Sequence, residues 1–416
     1  MIITILMPKS AIQREGDYIC AMSAIFSRYL NSGKYALTAL FFCFFLCTSC
    51  AVRQQIIHKQ LQQPDISALK YIGKSVIPNA FEFKKTTVGG LSGIDYDPFT
   101  NTYYLLSDDR SANNPARFYT AKIKLADTGI IDIKFNGVHF LKQKDGNTYP
   151  GAKENIHKAT DPEAIRFSPI HQNIVWSSEG ERIIDHKDTV LVDPTITFSN
   201  LKGSFLDTIP LPDNLRMQVN ESGPRRNGVL EGLSYANNFK ELYASMEEPL
   251  YQDGPQAAFV PNGALVRIYR FDLDGKRLTG EFAYELDPIA HEPKTDKAEY
   301  NNGIPDILWI GEQKFLITER SYTSDHRGTT IKIFLADFSN ARDIKDIPSL
   351  VKYPQVKKIS KKLLFNLEDL GIYIDNIEGA TLGPLLSNGN RSLILVADDN
   401  FSKKQQAQIM LFEIIP

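Results

Sequence analysis

The chain has 416 residues, 43% hydrophobic and 23% charged, with a formal net charge of −2; these values exclude a disordered or collagenous protein and leave room for a large core. Forty-seven Lys+Arg against 49 Asp+Glu leave no basic excess to neutralise a polyphosphate backbone, so no nucleic-acid partner is expected. All four cysteines (Cys20, Cys43, Cys47 and Cys50) fall in the first fifty residues, which excludes a disulfide framework or a cysteine-ligated zinc site from the remainder.

Arg28 and Lys34 precede a twelve-residue apolar run, Tyr35 to Leu46, which is followed by Thr48-Ser49-Cys50. This is the layout of an export signal over residues 1–50, and the run is too short to favour a permanent membrane span. Its end is lipobox-like and resembles a bacterial lipoprotein signal, in which the cysteine after the small residues carries the lipid. Cys47 stands where leucine is usual, so lipidation at Cys50 competes with simple cleavage. The polar stretch before Arg28 makes Met22 an alternative start. Cys47-x-x-Cys50 lies at the end of the apolar run with no fold around it, which speaks against redox chemistry. Removal of residues 1–49 takes away Lys9, Arg14, Arg28, Lys34, Glu15 and Asp17, leaving 43 basic against 47 acidic residues. The expected location is the bacterial cell envelope, either lipid-anchored to a membrane or periplasmic. Residues 51–67 are polar and Gln-rich and read as a flexible tether.

From residue 68 to 416 the sequence repeats. Each unit opens on an acidic or small residue, runs through a short apolar strand and a turn, and ends a second strand in acid. The copies are Leu91–Tyr96 with Tyr103–Asp109, Pro162–Phe167 with Ile174–Glu179, Leu230–Tyr235 with Leu242–Glu248, Pro305–Ile310 with Phe315–Arg320, and Ile377–Leu382 with Leu393–Asp399. Opening positions 92, 163, 231, 306 and 378 are spaced by 71, 68, 75 and 72 residues. A third strand, clearest at Ala264–Phe271, an Asp274-Gly275 hairpin turn and a fourth strand at Glu281–Leu286 complete the unit. Four antiparallel strands per repeat without a long amphipathic helix predict an all-β propeller of five four-stranded blades, with room for a sixth in residues 126–160 or 338–376. The last repeat stops after its third strand, Gln408–Ile414, so Leu69–Ile77 is expected to supply the fourth and close the ring.

In an antiparallel hairpin the start of the first strand lies beside the end of the second, so both acidic positions of each repeat fall on one face. Glu163, Glu231, Asp306 and Glu378 should ring the channel mouth, with Asp108, Asp109, Glu179, Glu247, Glu248, Glu319, Asp398 and Asp399 nearby. Converging carboxylates demand protons, arginines or cations, and hard oxygen ligands suit Ca²⁺. The competing reading is that some of them only cap turns. Asp272-Leu273-Asp274-Gly275 begins like a calcium loop but lacks its later ligands and sits where a hairpin turn is needed. Arg110, Arg182 and Arg320 each follow an acid and Arg166 lies on an inner strand, so the mouth could take an anionic, phosphate-like ligand unless each arginine merely pairs with its neighbour. No nucleophile elbow, zinc-protease motif, P-loop or dinucleotide fingerprint is present, and the seven histidines show no ligand-like spacing.

Together, Leu91-Ser92-Gly93-Ile94 with Leu105–Arg110, Asp161–Ile165, Glu231-Gly232-Leu233, Ile317–Arg320, and Asn376–Ala380 with Val396–Asn400 resemble the phytase-like family described as having esterase-like activity. The resemblance covers residues 88 to 415 and implies a propeller and a hydrolase. Propeller phytases, which use several calcium ions on inositol phosphates, are only distantly similar: their consecutive Asp-Asp-Pro and Asn-Asn pair are absent here. The expected function is a calcium-dependent esterase or phosphoesterase taking a small anionic ester, as a monomer. In it Asp108, Glu163, Glu231, Glu378 and Asp398 hold metal, Glu231 and Glu378 serve catalysis, and Arg110, Arg166, Glu319 and Arg320 meet the substrate. A non-catalytic binding propeller and a calcium-dependent lactonase are the alternatives.

Overall fold

The strand runs of the five repeats each form one four-stranded antiparallel sheet. The computed structural model describes residues 66–185 and 188–416; the export signal, Cys50 and most of the tether lie outside them. Blade 1 is Gly93–Asp97, Thr102–Ser107, Arg117–Ala126 and Gly129–Phe140; blade 2 is Pro162–Ser168, Asn173–Ser178, Thr195–Asn200 and Phe205–Thr208. Blade 3 is Leu230–Ala236, Glu241–Met246, Leu265–Asp272 and Arg277–Glu285; blade 4 is Tyr300–Gly311, Lys314–Thr323, Thr330–Asp337 and Ser360–Asn366. Blade 5 is Asn376–Leu385, Arg391–Asp398 and Ala407–Ile415, completed by Ala68–Ile77, which pairs from Leu69 opposite Ile414 to Ile77 opposite Ala407. There is no sixth blade among the described residues: 126–160 and 338–376 supply the outer strands of blades 1 and 4 and their connections, including the four-residue helix Ala152–Asn155.

Burial grades outward along each blade. Every residue of Pro162–Ser168 and of Leu230–Ala236 is buried, because an inner strand is covered on both faces, whereas the outer strand Phe205–Thr208 alternates between half-buried and exposed. Apolar clusters fill the gaps between blades, such as Leu106, Phe118, Ile165 and Trp176 between blades 1 and 2. Turn chemistry sets the hairpins: Asp97 accepts from Phe99 N at 2.9 Å and from Thr100 Oγ1 at 2.6 Å, and Asn101 takes the left-handed conformation at φ 50°. Asp272 accepts from Gly275 N at 3.2 Å, so its segment is a hairpin turn.

The inner strands of neighbouring blades pack side by side around a closed ring, and three glycines set how near they come. A Cβ on Gly93 would lie 2.9 Å from Ile165 N, one on Gly232 2.8 Å from Ile307 N, and one on Gly379 3.0 Å from Ile94 N, all backbone amides of the next inner strand. The register also breaks at the acids of blades 2 to 5, between Pro162 and Ile165, Leu230 and Gly232, Gly303 and Asp306, and Ile377 and Gly379. A bulge leaves one residue outside the ladder and re-aims its side chain. Gly379→Ala should therefore destabilise the fold by about 1–3 kcal/mol, because backbone cannot yield as a side-chain tip can. Urea unfolding measures this, and an unchanged midpoint would contradict the close approach.

Candidate metal centre and active site

Side chains along a strand alternate in direction, and this sorts the paired acids at the strand ends. Asp109 turns into its loop, accepting from the amides of Ala112, Asn113 and Asn114 at 2.8, 3.0 and 2.8 Å and from Arg117 Nη1 at 2.8 Å. Asp399 accepts from Gly90 N at 2.9 Å and Glu248 from Gln256 Nε2 at 2.8 Å. Their partners Asp108, Asp398 and Glu247 belong to the mouth instead.

Two groups of oxygens meet there. Asp108, Glu378 and Asp398 each present an oxygen within 4.8 Å of the others, and so do Asp161, Glu163 and Glu179. Glu179 Oε1 is anchored by Gly228 N at 2.8 Å and Val229 N at 2.7 Å. Glu231 and Glu247 stand between the groups: Glu231 feels the charges of Glu179, Glu247 and Glu378. Arg320, on blade 4, bonds the blades on either side of it, Glu378 of blade 5 and Glu247 of blade 3, through its two terminal nitrogens, and Asn376 Oδ1 at 2.7 Å. At the rim Arg110 pairs with Asp161 at 3.3 Å and Glu181 at 2.9 Å, and Arg226 with Glu181 at 2.9 Å.

Charge is not balanced. Among the described residues, the carboxylates of Asp108, Asp161, Glu163, Glu179, Glu231, Glu247, Glu378 and Asp398 face only the guanidinium groups of Arg110 and Arg320 in direct contact. Burial, reinforced by neighbouring carboxylates, pushes Asp108, Glu163, Glu231 and Asp398 well above the usual carboxylate range. Burial likewise lifts Asp161 from 3.8 to about 7, against the pull of Arg110, and Glu179 from 4.5 to about 8. Asp398 Oδ2 and Glu378 Oε2 are buried without a hydrogen-bond partner, and among the described residues no donor reaches Asp108, Glu163 or Glu231. Oxygen donors alone, several of them unpaired and carrying excess negative charge, fit a hard cation such as Ca²⁺.

All five expected metal residues, Asp108, Glu163, Glu231, Glu378 and Asp398, lie in this cluster with Arg320, and Arg110 lies at its rim. Two expected substrate residues lie elsewhere. Arg166 is inside the channel, bound to Asp306 at 2.6 and 2.7 Å and to the carbonyls of Ile94, Ile165 and Ile307; Asp306 also accepts from Ala380 N at 2.7 Å. This pair removes Asp306 from the expected acid ring and leaves Arg166 no terminal nitrogen for an anion. Glu319, one place before Arg320, faces the opposite way and accepts from Tyr284 Oη, Asp287 N, Asn302 Nδ2 and Lys361 Nζ. Asp161, Glu179 and Glu247 are not among the expected metal or catalytic residues, although Glu179 and Glu247 share the strand-end register of Asp108 and Asp398.

The raised acids fix the sign of a pH effect. Their folded-state pKa values exceed the unfolded ones, so protonation favours the folded protein at low pH, and that contribution is lost as pH rises through about 7 for Asp161 and about 8 for Glu179. In EDTA the melting temperature should fall between about pH 5 and pH 8. Calcium should suppress the fall and raise Tm. Melts followed by circular dichroism decide it: a Tm flat with pH in EDTA, or unmoved by calcium, contradicts a cation site.

No curated protein sequence matches the chain. Among solved structures it is similar to an endo-arabinase from Bacteroides thetaiotaomicron, at 13% identity and TM-score 0.41 over 82% of this chain and 98% of that one. It is also similar to a periplasmic gluconolactonase from Pseudomonas aeruginosa, at 11% identity and TM-score 0.34 over 80% and 90%. Overlap at this level bears on neither substrate nor mechanism. A family model described as phytase-like, with the esterase-like activity of phytase, matches residues 86–401, and the chain belongs to that family.

Proposed function

We propose that the protein is a calcium-dependent esterase of the cell envelope acting on a small anionic ester, with phosphate esters as the leading class. The observation that carries this reading is the pair of buried, unpartnered oxygens, Asp398 Oδ2 and Glu378 Oε2, gathered with Asp108 at the open end of the channel. Asp108, Glu378 and Asp398 would hold one cation, and Asp161, Glu163 and Glu179 could hold another. Calcium bound there would supply Lewis-acid polarisation of an ester oxygen and a lowered pKa for water.

The chain's own groups do the rest. Glu231, reached by no donor among the described residues and set between both oxygen groups, is placed to take up and return a proton. Glu378 would serve twice, as ligand and as anchor for Arg320, which ties blade 5 to blade 3 across blade 4. Arg110 and Arg226 stand where an anion would enter, with 27% and 53% of their side chains exposed. Their positive charge would steer an anionic ester to the acidic mouth once the cation has neutralised it.

Hydrolysis of a panel of phosphate esters, carboxylic esters and lactones, each with calcium or EDTA, tests the reading. We expect calcium-dependent turnover of an anionic ester, lowered about 100-fold or more by Glu231→Gln and by Asp398→Asn. Activity indifferent to chelation, or no activity on any ester, would sink it, and turnover of lactones alone would make the protein a lactonase using the same oxygens. The envelope location rests on the signal-like segment ending at Cys50. Cys50→Ala should move the protein from the membrane fraction to the soluble fraction, and an unchanged membrane fraction would remove the lipid anchor from the proposal.

A further inference from the structure

On the face opposite the acidic mouth, between blades 3 and 4, lies a second cavity of about 410 Å³. Glu231 and Asp306 stand level on the inner strands Leu230–Ala236 and Tyr300–Gly311, where a Cβ on Gly232 would lie 2.8 Å from Ile307 N, so the far ends of these strands, with the turns Asn237–Lys240 and Glu312–Gln313, lie five residues or about 15–20 Å further on at ~3.3 Å per residue. Trp309, half-buried, packs against the blade 3 and 4 core, and its Nε1 donates to Glu312 O at 2.8 Å, so the indole lining the cavity is held in one orientation.

Around it stand the side chains of Asn237, Asn238, Glu241, Glu312 and Gln313, for which the structure shows no hydrogen-bond partner among the described residues. Arg270 also borders the cavity, but its guanidinium bonds Thr279, at 3.2 Å to Oγ1 and 3.1 Å to the carbonyl oxygen, and lies over the Phe282 ring at 5.4 Å. The free groups are thus amides and carboxylates beside one aromatic surface. The turn that presents them is strained: Asn237, Asn238 and Phe239 are successively left-handed at φ 48°, 56° and 62°. Asparagine adopts that conformation readily, phenylalanine only at a cost, and such strain persists where the surroundings hold it.

We propose that this cavity is a saccharide-binding site, in which a neutral sugar ring lies against Trp309 and its hydroxyls are held by Asn237, Asn238, Gln313, Glu241 and Glu312. A sugar hydroxyl donates and accepts at once; the amides of Asn237, Asn238 and Gln313 offer both functions, and the carboxylates of Glu241 and Glu312 accept. The C–H face of the ring supplies the apolar contact that an indole accepts, and the volume suits one or two rings. Glu241 and Glu312 would repel phosphorylated or acidic sugars. A quaternary ammonium ligand fits less well: the Tyr243 ring is buried against Phe315 and Phe338, so among the described residues no second aromatic face completes a cage.

The chain has two tryptophans, and Trp176 is fully buried away from any ligand, so a change in tryptophan emission on adding ligand reports on Trp309. Full-length protein is titrated with glucose, galactose, arabinose, N-acetylglucosamine and trisaccharides of each. We expect a saturable change at about 1–10 mM for a monosaccharide, tighter for a trisaccharide. The change should persist in EDTA and in Glu231→Gln. Gln313→Ala, exposed and outside the core, should weaken binding about 5–10-fold, and Trp309→Phe should abolish the saturation-transfer NMR signal while retaining the native circular-dichroism spectrum. The assignment is overturned if no sugar acts at up to about 50 mM, if tetramethylammonium binds more tightly than every sugar, or if Gln313→Ala and Trp309→Phe both bind as the parent protein does.

Discussion

The ion pair of Arg166 and Asp306 touches four of the five inner strands at once. Arg166 rises from blade 2, bonds the blade 1 carbonyl of Ile94 and reaches Asp306 on blade 4, whose carboxylate accepts the blade 5 amide of Ala380. Asp95 adds a second tie, accepting from Phe167 N of blade 2 at 2.7 Å and Thr381 Oγ1 of blade 5 at 2.9 Å. A buried charge is tolerable only with its partner and hydrogen bonds in place, so removing one member of such a pair costs about 3–5 kcal/mol. The channel interior is therefore a polar brace that fixes the inner strands in position and in rotation. The acids at the mouth inherit their geometry from it.

That geometry sets stability against function. Glycine directly after the opening residue of three repeats, at 93, 232 and 379, lets backbones approach, and the approach crowds carboxylates that repel one another. The protein offsets part of this with Arg320 and Arg110 and leaves the remainder uncompensated, which is the condition under which a cation binds strongly. Second acids of the pairs, such as Asp109 with its three backbone amides and Arg117, stiffen the loops behind the first acids.

Much of the ring is legible in the amino-acid sequence, because it is written in periodicity: five acids or small residues at nearly equal spacing, strand runs between them, and a final unit lacking its fourth strand. The blade number is harder to read, since long outer strands and connections such as those around Ser360–Asn366 carry mixed, partly exposed sequences with no period of their own. The cluster is readable where register alone decides direction, as for Glu163, Glu231, Glu378, Asp108 and Asp398. It is not readable where a partner decides: nothing local distinguishes Asp306 from Glu231, and only the fold brings Arg166 beside it. Glu319 and Arg320 show the same limit, because adjacency in sequence places neighbours on opposite sides of a strand. Asp161 escapes the pattern because it precedes its strand rather than opening it.

Closure of blade 5 joins the first folded strand to the last. Ser67 N donates to Ile415 O at 3.0 Å, across nearly the whole described chain. Until the final residues arrive, the strand Ala68–Ile77 has no partner and blades 1 to 4 form an open arc with two raw edges. Such a topology delays its most distant contact to the end of folding, which makes acquisition slow and leaves edges exposed to other chains meanwhile. Once joined, the same strand works as a latch: blade 5 cannot open without releasing the segment that leads out of the propeller.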